Sequence, residues 1–251
     1  MAADQEAAEL VAAAADRHDL ERMVARRQEG EPLAWITGTA RFCGIGVTVR
    51  PGVYVPRWQS ETLARTAVHH LPARGVAVDL CTGSGAVAMV LQAARPGARV
   101  VATELDPVAA ACARDNGIDV LVGDLDDPIP DELVGRVDVM TAVPPYVPDD
   151  ALHLLPRDVR DFEPTRALDG GRHGLQVVAR TVDRSTRWLA PGGRLVVEVG
   201  GSQFDPVSHL LTVAGYDTIE VLDDGDGDPR AVCGRFVGPT EGTSPAQASS
   251  R

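Results

Sequence analysis

Short apolar runs alternate with helical patterns over most of the chain after residue 75. The runs that predict strands are 76–80, 99–103, 120–122, 137–141 and 194–199, and helical periodicity lies between them, for example over 86–94 and 107–116. Short apolar strands that alternate with helices predict a parallel sheet with helices on both faces. The chain is therefore expected to have an α/β fold.

Two further predicted strands, 218–222 and 231–237, close this pattern. The segment 223–229 between them is short and rich in Asp and Gly. A crossover between parallel strands needs a dozen or more residues, so this connection predicts an antiparallel hairpin. Its alternating acids resemble a calcium loop, but Pro229 and Arg235 stand where such a loop has its glycine and glutamate. We expect a tight acidic turn and no metal site.

The first sixty residues follow a different pattern. Residues 2–27 are rich in alanine with apolar positions at helical spacing, which predicts one helix, and 33–56 alternate more like the strands of a hairpin. We predict a helical extension over 1–30, a β-hairpin linker over 31–58 and the α/β domain over 59–238. Residues 239–251 are rich in Pro, Gly, Ser, Thr and Ala, and this composition predicts a disordered tail.

Composition and charge narrow the partners and the location. The formal net charge is −12, and all 24 basic residues are arginines. Nucleic-acid binding usually requires a basic face, so we expect no DNA or RNA partner. No apolar run approaches the roughly 20 residues of a membrane span, and the N-terminus has no pattern of a secretory signal. The four cysteines are scattered, which is typical of a reduced intracellular protein. We expect a cytoplasmic monomer without a membrane partner.

A glycine-rich loop, Asp79-Leu-Cys-Thr-Gly-Ser-Gly85, follows the first strand of the predicted sheet. Glycines at a turn from strand to helix let the backbone approach a ligand closely. Asp79 is placed to accept hydrogen bonds from an ammonium group, which suits the amino-acid end of S-adenosylmethionine. The same loop satisfies the dinucleotide fingerprint through Gly83, Gly85 and Ala88, so a nicotinamide cofactor is an alternative.

Acidic residues follow the next two predicted strands. Glu104 ends the second strand, where an acid commonly binds ribose hydroxyls, while Asp106 precedes Pro107 and is expected to cap the next helix. Asp124-Leu125 follows the third strand, and an acid there lies near the adenine amino group in methyltransferases. Glu104 and Asp124 together favour a cofactor that contains adenosine.

The segment Val143-Pro144-Pro145-Tyr146 follows the fourth strand. It favours a methyltransferase site over a nicotinamide site. Consecutive prolines donate no hydrogen bonds and hold the chain extended, so their carbonyls can point into a site at the carboxyl end of the sheet. The tyrosine that follows can stack on a planar substrate group. In isolation the segment is better explained as a proline-rich loop that ends a strand, but its position one element after Asp124 favours the site.

These stretches in this order resemble the HemK/PrmC family of protein N5-glutamine methyltransferases. The similarity runs from about Gly30 to Phe236, and its matching stretches are GEPLAWITG, PGVYVPR, DLCTGSG, VPPYVP, FEPTRALDGGRHGL and LAPGGRLVVEVG. The resemblance implies a class I methyltransferase fold, which is a Rossmann-like, mostly parallel seven-stranded sheet with a C-terminal antiparallel hairpin. It implies S-adenosylmethionine as the cofactor. It also implies the glutamine of a Gly-Gly-Gln loop in a peptide-chain release factor as the methyl acceptor.

The resemblance also assigns the site residues. It assigns the methionine part of the cofactor to the loop with Asp79, Cys81, Gly83 and Gly85, the ribose to Glu104, and the adenine to Asp124 and Leu125. It implies that the Pro144 carbonyl faces the substrate amide and that Tyr146 packs against the amide plane, with Val143 beside them.

The chain departs from the family pattern at the catalytic loop. The family has Asn-Pro-Pro-Tyr, and Val143 replaces an asparagine that both donates to and accepts from the glutamine amide. Trp58, Gln59 and Ser60 also differ from the family's PRPETE stretch, and the N-terminal extension is shorter. A divergent paralogue with another acceptor, a cofactor-binding protein without catalysis, a nicotinamide dehydrogenase and a nucleic-acid methyltransferase are the alternatives.

Overall fold

A seven-stranded sheet forms the centre of the protein. The computed structural model describes residues 3–238, and the predicted disordered tail at 239–251 lies outside them. The helices are α1 Ala3–Ala13, α2 Arg17–Gln28, α3 Leu33–Thr37, α4 Glu61–His70, α5 Ala86–Ala94, α6 Pro107–Asp115, α7 Arg157–Arg160, α8 Gln176–Trp188 and α9 Phe204–Val213. The strands are β1 Thr39–Phe42, β2 Ile45–Thr48, β3 Val76–Leu80, β4 Arg99–Glu104, β5 Val120–Val122, β6 Val137–Ala142, β7 Leu189–Glu198, β8 Tyr216–Asp223 and β9 Pro229–Phe236.

The strand order in this sheet is β5-β4-β3-β6-β7-β9-β8. Strands β3 to β7 pair in parallel, whereas β9 is antiparallel to both β7 and β8. The chain builds outward from β3 through β4 and β5, and then returns to the other side of β3 with β6. This reversal opens a crevice at the carboxyl ends of β3 and β6, which is where open α/β sheets bind ligands.

The predicted α/β fold and the C-terminal hairpin are confirmed. Five predicted strands reappear as β3 to β7, and 218–222 and 231–237 become β8 and β9. The prediction for β7 was too short, because the strand begins at Leu189 rather than at residue 194. Leu189 already pairs with Val137, and a shift of register precedes the pairing of Arg194 with Val139. Pro191, Gly192 and Gly193, which are typical of turns, hid this early start.

Helices cover both faces of the sheet, as predicted. Neighbouring residues of the central strands alternate between two cores, with Ala77 and Val139 on one face and Val78 and Met140 on the other. The first core includes Leu63 of α4 and is shared with the small β1–β2 hairpin. The second core includes side chains from α8 and α9, among them the fully buried indole of Trp188.

The predicted single helix over 2–27 is wrong, because two helices, α1 and α2, occupy this region. Asp16 has an extended backbone and its carboxylate accepts a hydrogen bond from the Asp19 N–H at 2.8 Å. This N-cap starts a new helix, since a capping side chain satisfies an orphan N–H that a continuous helix would not expose. The two helices pack on α3 through a cluster of Leu10, Met23, Leu33 and Ile36.

The predicted hairpin is present as β1 and β2, and the short helix α3 before it was not predicted. Hydrogen bonds hold this region together and tie it to the sheet domain. The Trp35 indole N–H of α3 donates to the Val53 carbonyl at 2.9 Å. The Asn116 amide, next to α6, donates to the carbonyls of both Thr48 and Ser84 at 2.9 Å, so it links β2 to the glycine-rich loop.

The turn between β8 and β9 is the expected tight acidic turn. The Asp224 carboxylate accepts hydrogen bonds from the N–H groups of Asp226 and Asp228 and from the guanidinium of Arg230. Across residues 3–238, no cluster of three or more His, Cys, Asp or Glu side chains has the arrangement of a metal site. Over the same residues, no helix combines the length and the hydropathy that crossing a membrane requires.

Trp35→Phe tests the buried hydrogen bond between α3 and the segment that follows β2. An aromatic ring, smaller than the indole, is kept near Phe162, but the Val53 carbonyl loses its buried donor. We expect the free energy of unfolding to fall by about 1–3 kcal/mol in urea denaturation, the cost of an unsatisfied buried polar group. Trp58→Phe, the same change at a side chain that is 47% exposed, should shift it by less than about 0.5 kcal/mol. Equal effects of the two changes would contradict this account.

Candidate active site

A cavity of about 520 Å³ lies in the crevice at the carboxyl ends of the parallel strands. Its volume is within the usual range for small-molecule sites. The loops that follow β3, β4, β5 and β6 all contribute to its wall, together with the segment before α4 and the ends of β7 and β9. The predicted site residues that line it are Asp79, Cys81, Gly83, Glu104, Asp124, Leu125, Val143, Pro144 and Tyr146.

Gly85 is the predicted site residue outside this lining, as far as residues 3–238 define the cavity. Its φ is +85°, and a Cβ there would lie 3.1 Å from side-chain atoms of Ala113 and Ile118. The glycine therefore permits close packing of the loop against α6. This contact supports the loop from behind rather than facing a ligand.

The glycine-rich loop is held to the adjacent strand by Glu104. The Gly83 N–H donates to Oε2 of Glu104 at 2.8 Å, and the Asp106 N–H donates to Oε1 at 2.9 Å. Gly83 has φ +57°, and a Cβ added there would meet no atom of the described residues within 4 Å, because it would point into open space. One carboxylate thus fixes the two loops that face each other across the cavity.

Glu104 and Asp106 have the separate roles that the sequence suggests for them. Asp106 caps α6, since its carboxylate accepts from the Val108 N–H at 3.0 Å. Glu104 remains half-buried with its carboxylate at the cavity wall, and burial raises its pKa although two backbone N–H groups oppose the shift. An ionised carboxylate has further lone pairs, so Glu104 is still able to accept from ligand hydroxyls.

Asp79 lies beneath the loop and is 1% exposed. Its two carboxylate oxygens accept from the hydroxyls of Thr82 and Thr141, each at 2.6 Å. Burial raises the pKa of Asp79 to about 6, although these two hydroxyls oppose the shift. A cation in the cavity would stabilise the ionised form, so the environment suits a positively charged ligand group.

Cys81 has a left-handed backbone with φ +53°, a conformation that favours glycine. The residue is half-buried at the cavity wall, and burial raises the pKa of its thiol above the ordinary range. A neutral thiol in this position is a small apolar surface rather than a nucleophile.

The loop after β5 places Asp124 and Leu125 side by side at the cavity wall. Leu125 is buried at 3% exposure with φ +51°, and this turn of the backbone directs the apolar side chain inward. Asp124 is more exposed and forms an ion pair with Arg180 of α8, which also lines the cavity. Leu125 gives this end of the cavity an apolar contact, and Asp124 with Arg180 gives it hydrogen-bonding groups.

The Val143–Tyr146 loop is fixed by contacts with the segment 168–174. The Val147 N–H donates to the Leu168 carbonyl at 2.9 Å, and the Gly170 N–H donates to the Val147 carbonyl at 2.8 Å. A Cβ at Gly170 would lie 2.7 Å from the Pro145 carbonyl oxygen, so a larger residue does not fit there. The FEPTRALDGGRHGL stretch therefore acts as the support of the proline loop.

Gln203 completes this support. Its side-chain amide donates to the carbonyls of Tyr146 and His173, both at 2.8 Å, and its oxygen accepts from the Gly200 N–H at 2.8 Å. The residue is 6% exposed. Because one amide bridges three chain segments, the position of the Tyr146 backbone is set by the loop that follows β7.

Buried ionisable side chains form the end of the cavity that lies beyond Tyr146. The Tyr146 hydroxyl donates to Oε1 of Glu198 at 2.9 Å, and burial raises the pKa values of both groups. Arg57 forms an ion pair with the buried carboxylate of Glu163 and lies over the Tyr54 ring, with 5.1 Å from guanidinium carbon to ring centroid. Burial raises the pKa of Glu163 to about 7 in spite of Arg57.

Several of these residues were missed by sequence reasoning. Arg57 and Glu163 belong to matching stretches, PGVYVPR and FEPTR, but nothing in the sequence indicated that they pair. Glu198 ends a predicted strand, and its position there left open whether it lines the cleft or serves the structure. Arg230 and Arg180 had no sequence signal, because isolated arginines in an arginine-rich chain carry none.

Comparisons with known proteins were made at the level of sequence and of structure. No protein-family model matches the chain. A release factor glutamine methyltransferase of Geobacter sulfurreducens is 36% identical over 220 residues, which cover 85% of this chain and 76% of that protein. One of Mycolicibacterium smegmatis is 40% identical over 219 residues, which cover 84% and 77%. The solved structure of a methyltransferase from Pyrococcus furiosus, 19% identical, superimposes with a TM-score of 0.56 over 87% of this chain and 99% of that one, and it shows the shared fold.

Asp79→Asn tests the electrostatic description of the loop. The pKa of Asp79 is raised from 3.8 when unfolded to about 6 when folded, so the folded state binds the proton more tightly. The resulting stabilisation is complete below pH 3.8 and is lost as the pH rises through 6, a change on the order of 3 kcal/mol. The free energy of unfolding of the wild type should fall by this amount between pH 4 and 6, and that of Asp79→Asn should not. Both are measured by urea denaturation.

Asp183→Asn is the matched control, because Asp183 is exposed on α8 and undergoes the same chemical change. It should retain the wild-type dependence of stability on pH. An Asp79→Asn curve parallel to that of the wild type would show that Asp79 is not the buried acid described here.

Proposed function

Because the chain belongs to the family of release factor glutamine methyltransferases, we propose that it transfers a methyl group from S-adenosylmethionine to the side-chain amide of a glutamine in a peptide-chain release factor. The observation that carries this proposal is the meeting of two loops in one cavity. The glycine-rich loop and the Pro144-Pro145-Tyr146 loop face the same space from adjacent strands, β3 and β6. A cofactor on the first loop therefore lies beside an acceptor on the second.

The described residues fit S-adenosylmethionine along the length of the crevice. The open space beside Gly83 receives the methionine part, and a cationic group there stabilises the ionised form of the buried Asp79 carboxylate. Glu104 offers its remaining lone pairs to the ribose hydroxyls. Leu125 and Asp124 give the adenine an apolar contact and a hydrogen-bond acceptor. The cofactor supplies an electrophilic methyl group on sulfonium, and the protein positions the acceptor against it.

The proline loop positions the acceptor amide. Pro144 is buried and has no N–H, so its peptide unit presents only a carbonyl to a substrate N–H. Gln203 donates to the backbone carbonyl of Tyr146, and Glu198 accepts from the Tyr146 hydroxyl. The tyrosine ring is therefore a fixed surface on which the amide plane packs. An amide nitrogen is a weak nucleophile, and the rate gain comes from holding it in line with the methyl group.

A different acceptor is the second candidate, and Val143 is the observation that favours it. The side chain is half-buried against the first core and makes no hydrogen bond, so it leaves an apolar wall where an amide would need a partner. An unpaired amide group costs about 1–3 kcal/mol when it is desolvated. An acceptor with an apolar group at this point would avoid that cost.

The remaining expectations about partners and organisation stay predictions. They are the cytoplasmic location, the monomeric state, the absence of a nucleic-acid partner and the boundaries of the helical extension and of the hairpin linker. The net charge of −12 supports the absence of a nucleic-acid partner.

Glu104→Gln tests the cofactor part of the proposal. The amide keeps the shape of the side chain but loses an acceptor, so the hydrogen bonds to the ribose and to the Gly83 N–H weaken together. We expect the Kd for S-adenosylmethionine to rise about tenfold in isothermal titration calorimetry. Asp127→Asn is the matched control on a neighbouring exposed loop, where Asp127 pairs with Arg184, and it should leave the Kd unchanged. Unaltered binding by Glu104→Gln would exclude Glu104 from the cofactor site.

Val143→Asn, compared with the wild type, tests the acceptor. Purified protein and labelled S-adenosylmethionine are incubated with the intact release factor of the same cell, and label on its glutamine is measured. We expect label with the wild type and about tenfold faster labelling with Val143→Asn, because the new amide restores a hydrogen-bond partner. Val143→Leu, which stays apolar, is the control. Labelling by Val143→Asn alone would support the second candidate, and no labelling by either protein would refute the proposed substrate.

A further inference from the structure

Glu198 carries a buried oxygen that the protein leaves without a partner. Its Oε1 accepts from Tyr146, but its Oε2 has no hydrogen-bond partner among residues 3–238, although the side chain is only 2% exposed. The hydroxyl of Ser60, 3% exposed, is the near neighbour of this carboxylate at the cavity wall and lowers its pKa, but no hydrogen bond of normal geometry joins it to Oε2. Buried polar atoms are almost always satisfied, so the unsatisfied carboxylate oxygen of a residue that lines the cavity indicates a missing ligand.

The register of the sheet places Glu198 beside Val143. Ala142 of β6 pairs with Val197 of β7. Val143 is the residue after Ala142, and Glu198 is the residue after Val197. Ala142 and Val197 point into the second core, whereas Val143 packs against the first. Side chains alternate along strands and adjacent strands lie about 4.8 Å apart, so Glu198 and Val143 are neighbours on the same face.

We infer that Glu198 binds the acceptor nitrogen directly, and that its Oε2 replaces the hydrogen-bond acceptor lost with the asparagine at position 143. This inference rests on the proposed function and deepens it by naming a catalytic residue. One N–H of the glutamine amide donates to Oε2 of Glu198, and the other faces the Pro144 carbonyl. Tyr146 then has two roles, because its ring carries the amide plane while its hydroxyl orients the carboxylate.

The same contact accounts for the proton that must leave the nitrogen. As the bond from nitrogen to the methyl carbon forms, the bond from that carbon to sulfur breaks and its electron pair remains on sulfur. The N–H proton passes to Oε2 of Glu198, which releases it to solvent after the products leave. Burial raises the pKa of Glu198, so its carboxylate is a better proton acceptor than an exposed one would be.

Glu198→Gln tests this inference, since the amide keeps the size of the side chain but takes up no proton. With the release factor as acceptor we expect kcat to fall about a hundredfold. The Kd for S-adenosylhomocysteine and the melting temperature should stay at wild-type values. Glu220→Gln, the same change on the exposed strand β8, should leave all three unchanged. Where Glu198→Gln fails to fold, Glu198→Asp, which withdraws the carboxylate by one methylene, must show the same loss of kcat.

Binding of a small amide separates this inference from the choice of substrate. N-acetylglutamine methylamide is titrated by saturation-transfer NMR into the complex with S-adenosylhomocysteine. We expect Glu198→Gln to weaken binding at least tenfold and the double change Val143→Asn with Glu198→Gln to recover it without recovering kcat. A merely structural role of Glu198 would give no such recovery.

The outcomes distinguish a failure of the inference about Glu198 from a failure of the proposed function. Glu198→Gln with kcat within threefold of the wild type overturns the inference and leaves the proposed function standing. A wild type that labels no release factor refutes the proposed substrate, and the amide titration then decides the inference alone. Equal binding of the small amide by wild type and Glu198→Gln, or binding by neither, overturns it.

Discussion

The register of five parallel strands is the constraint on which the rest of this structure depends. Because β3, β4, β5, β6 and β7 point the same way, the five loops at their carboxyl ends meet along one edge of the sheet. Residues separated by more than a hundred positions, such as Asp79 and Glu198, therefore line one cavity. A slip of one residue in β7 would turn Glu198 into the opposite core and remove it from the site.

Buried carboxylates are the second feature of the site. Glu104 and Glu198 are carboxylates whose pKa values burial raises, and burial raises that of Asp79 to about 6. Each is kept in place by a short set of hydrogen bonds, Asp79 by two hydroxyls, Glu104 by two backbone N–H groups and Glu198 by one phenol. A cationic cofactor in such a cavity relieves the repulsion of Asp79 by Glu104, so ligand binding and the ionisation of the wall reinforce each other.

The acceptor end has a rigid frame around a changed contact. Gln203 and the glycines of the 168–174 segment fix the proline loop, and Arg57 with Glu163 fixes the segment before α4. Val143 is one side chain inside this frame and makes no hydrogen bond. In the proposal made above, the frame holds the acceptor while Glu198 of the neighbouring strand supplies its hydrogen-bonding partner.

The sequence by itself determined the fold class, the final hairpin and the strand-end residues of the cavity wall, among them Asp79, Glu104 and Pro144, because strand periodicity and strand-end motifs are local signals. It misjudged the break between α1 and α2, where a single capping aspartate at position 16 outweighs a continuous helical pattern. Only the tertiary structure decided that Gly85 packs against α6 and that Arg57 pairs with Glu163. It alone decided that Glu198 stands beside Val143 with an unpartnered oxygen. These facts depend on which residues strand register and helix packing bring together, and contacts of that kind leave no pattern in a single sequence.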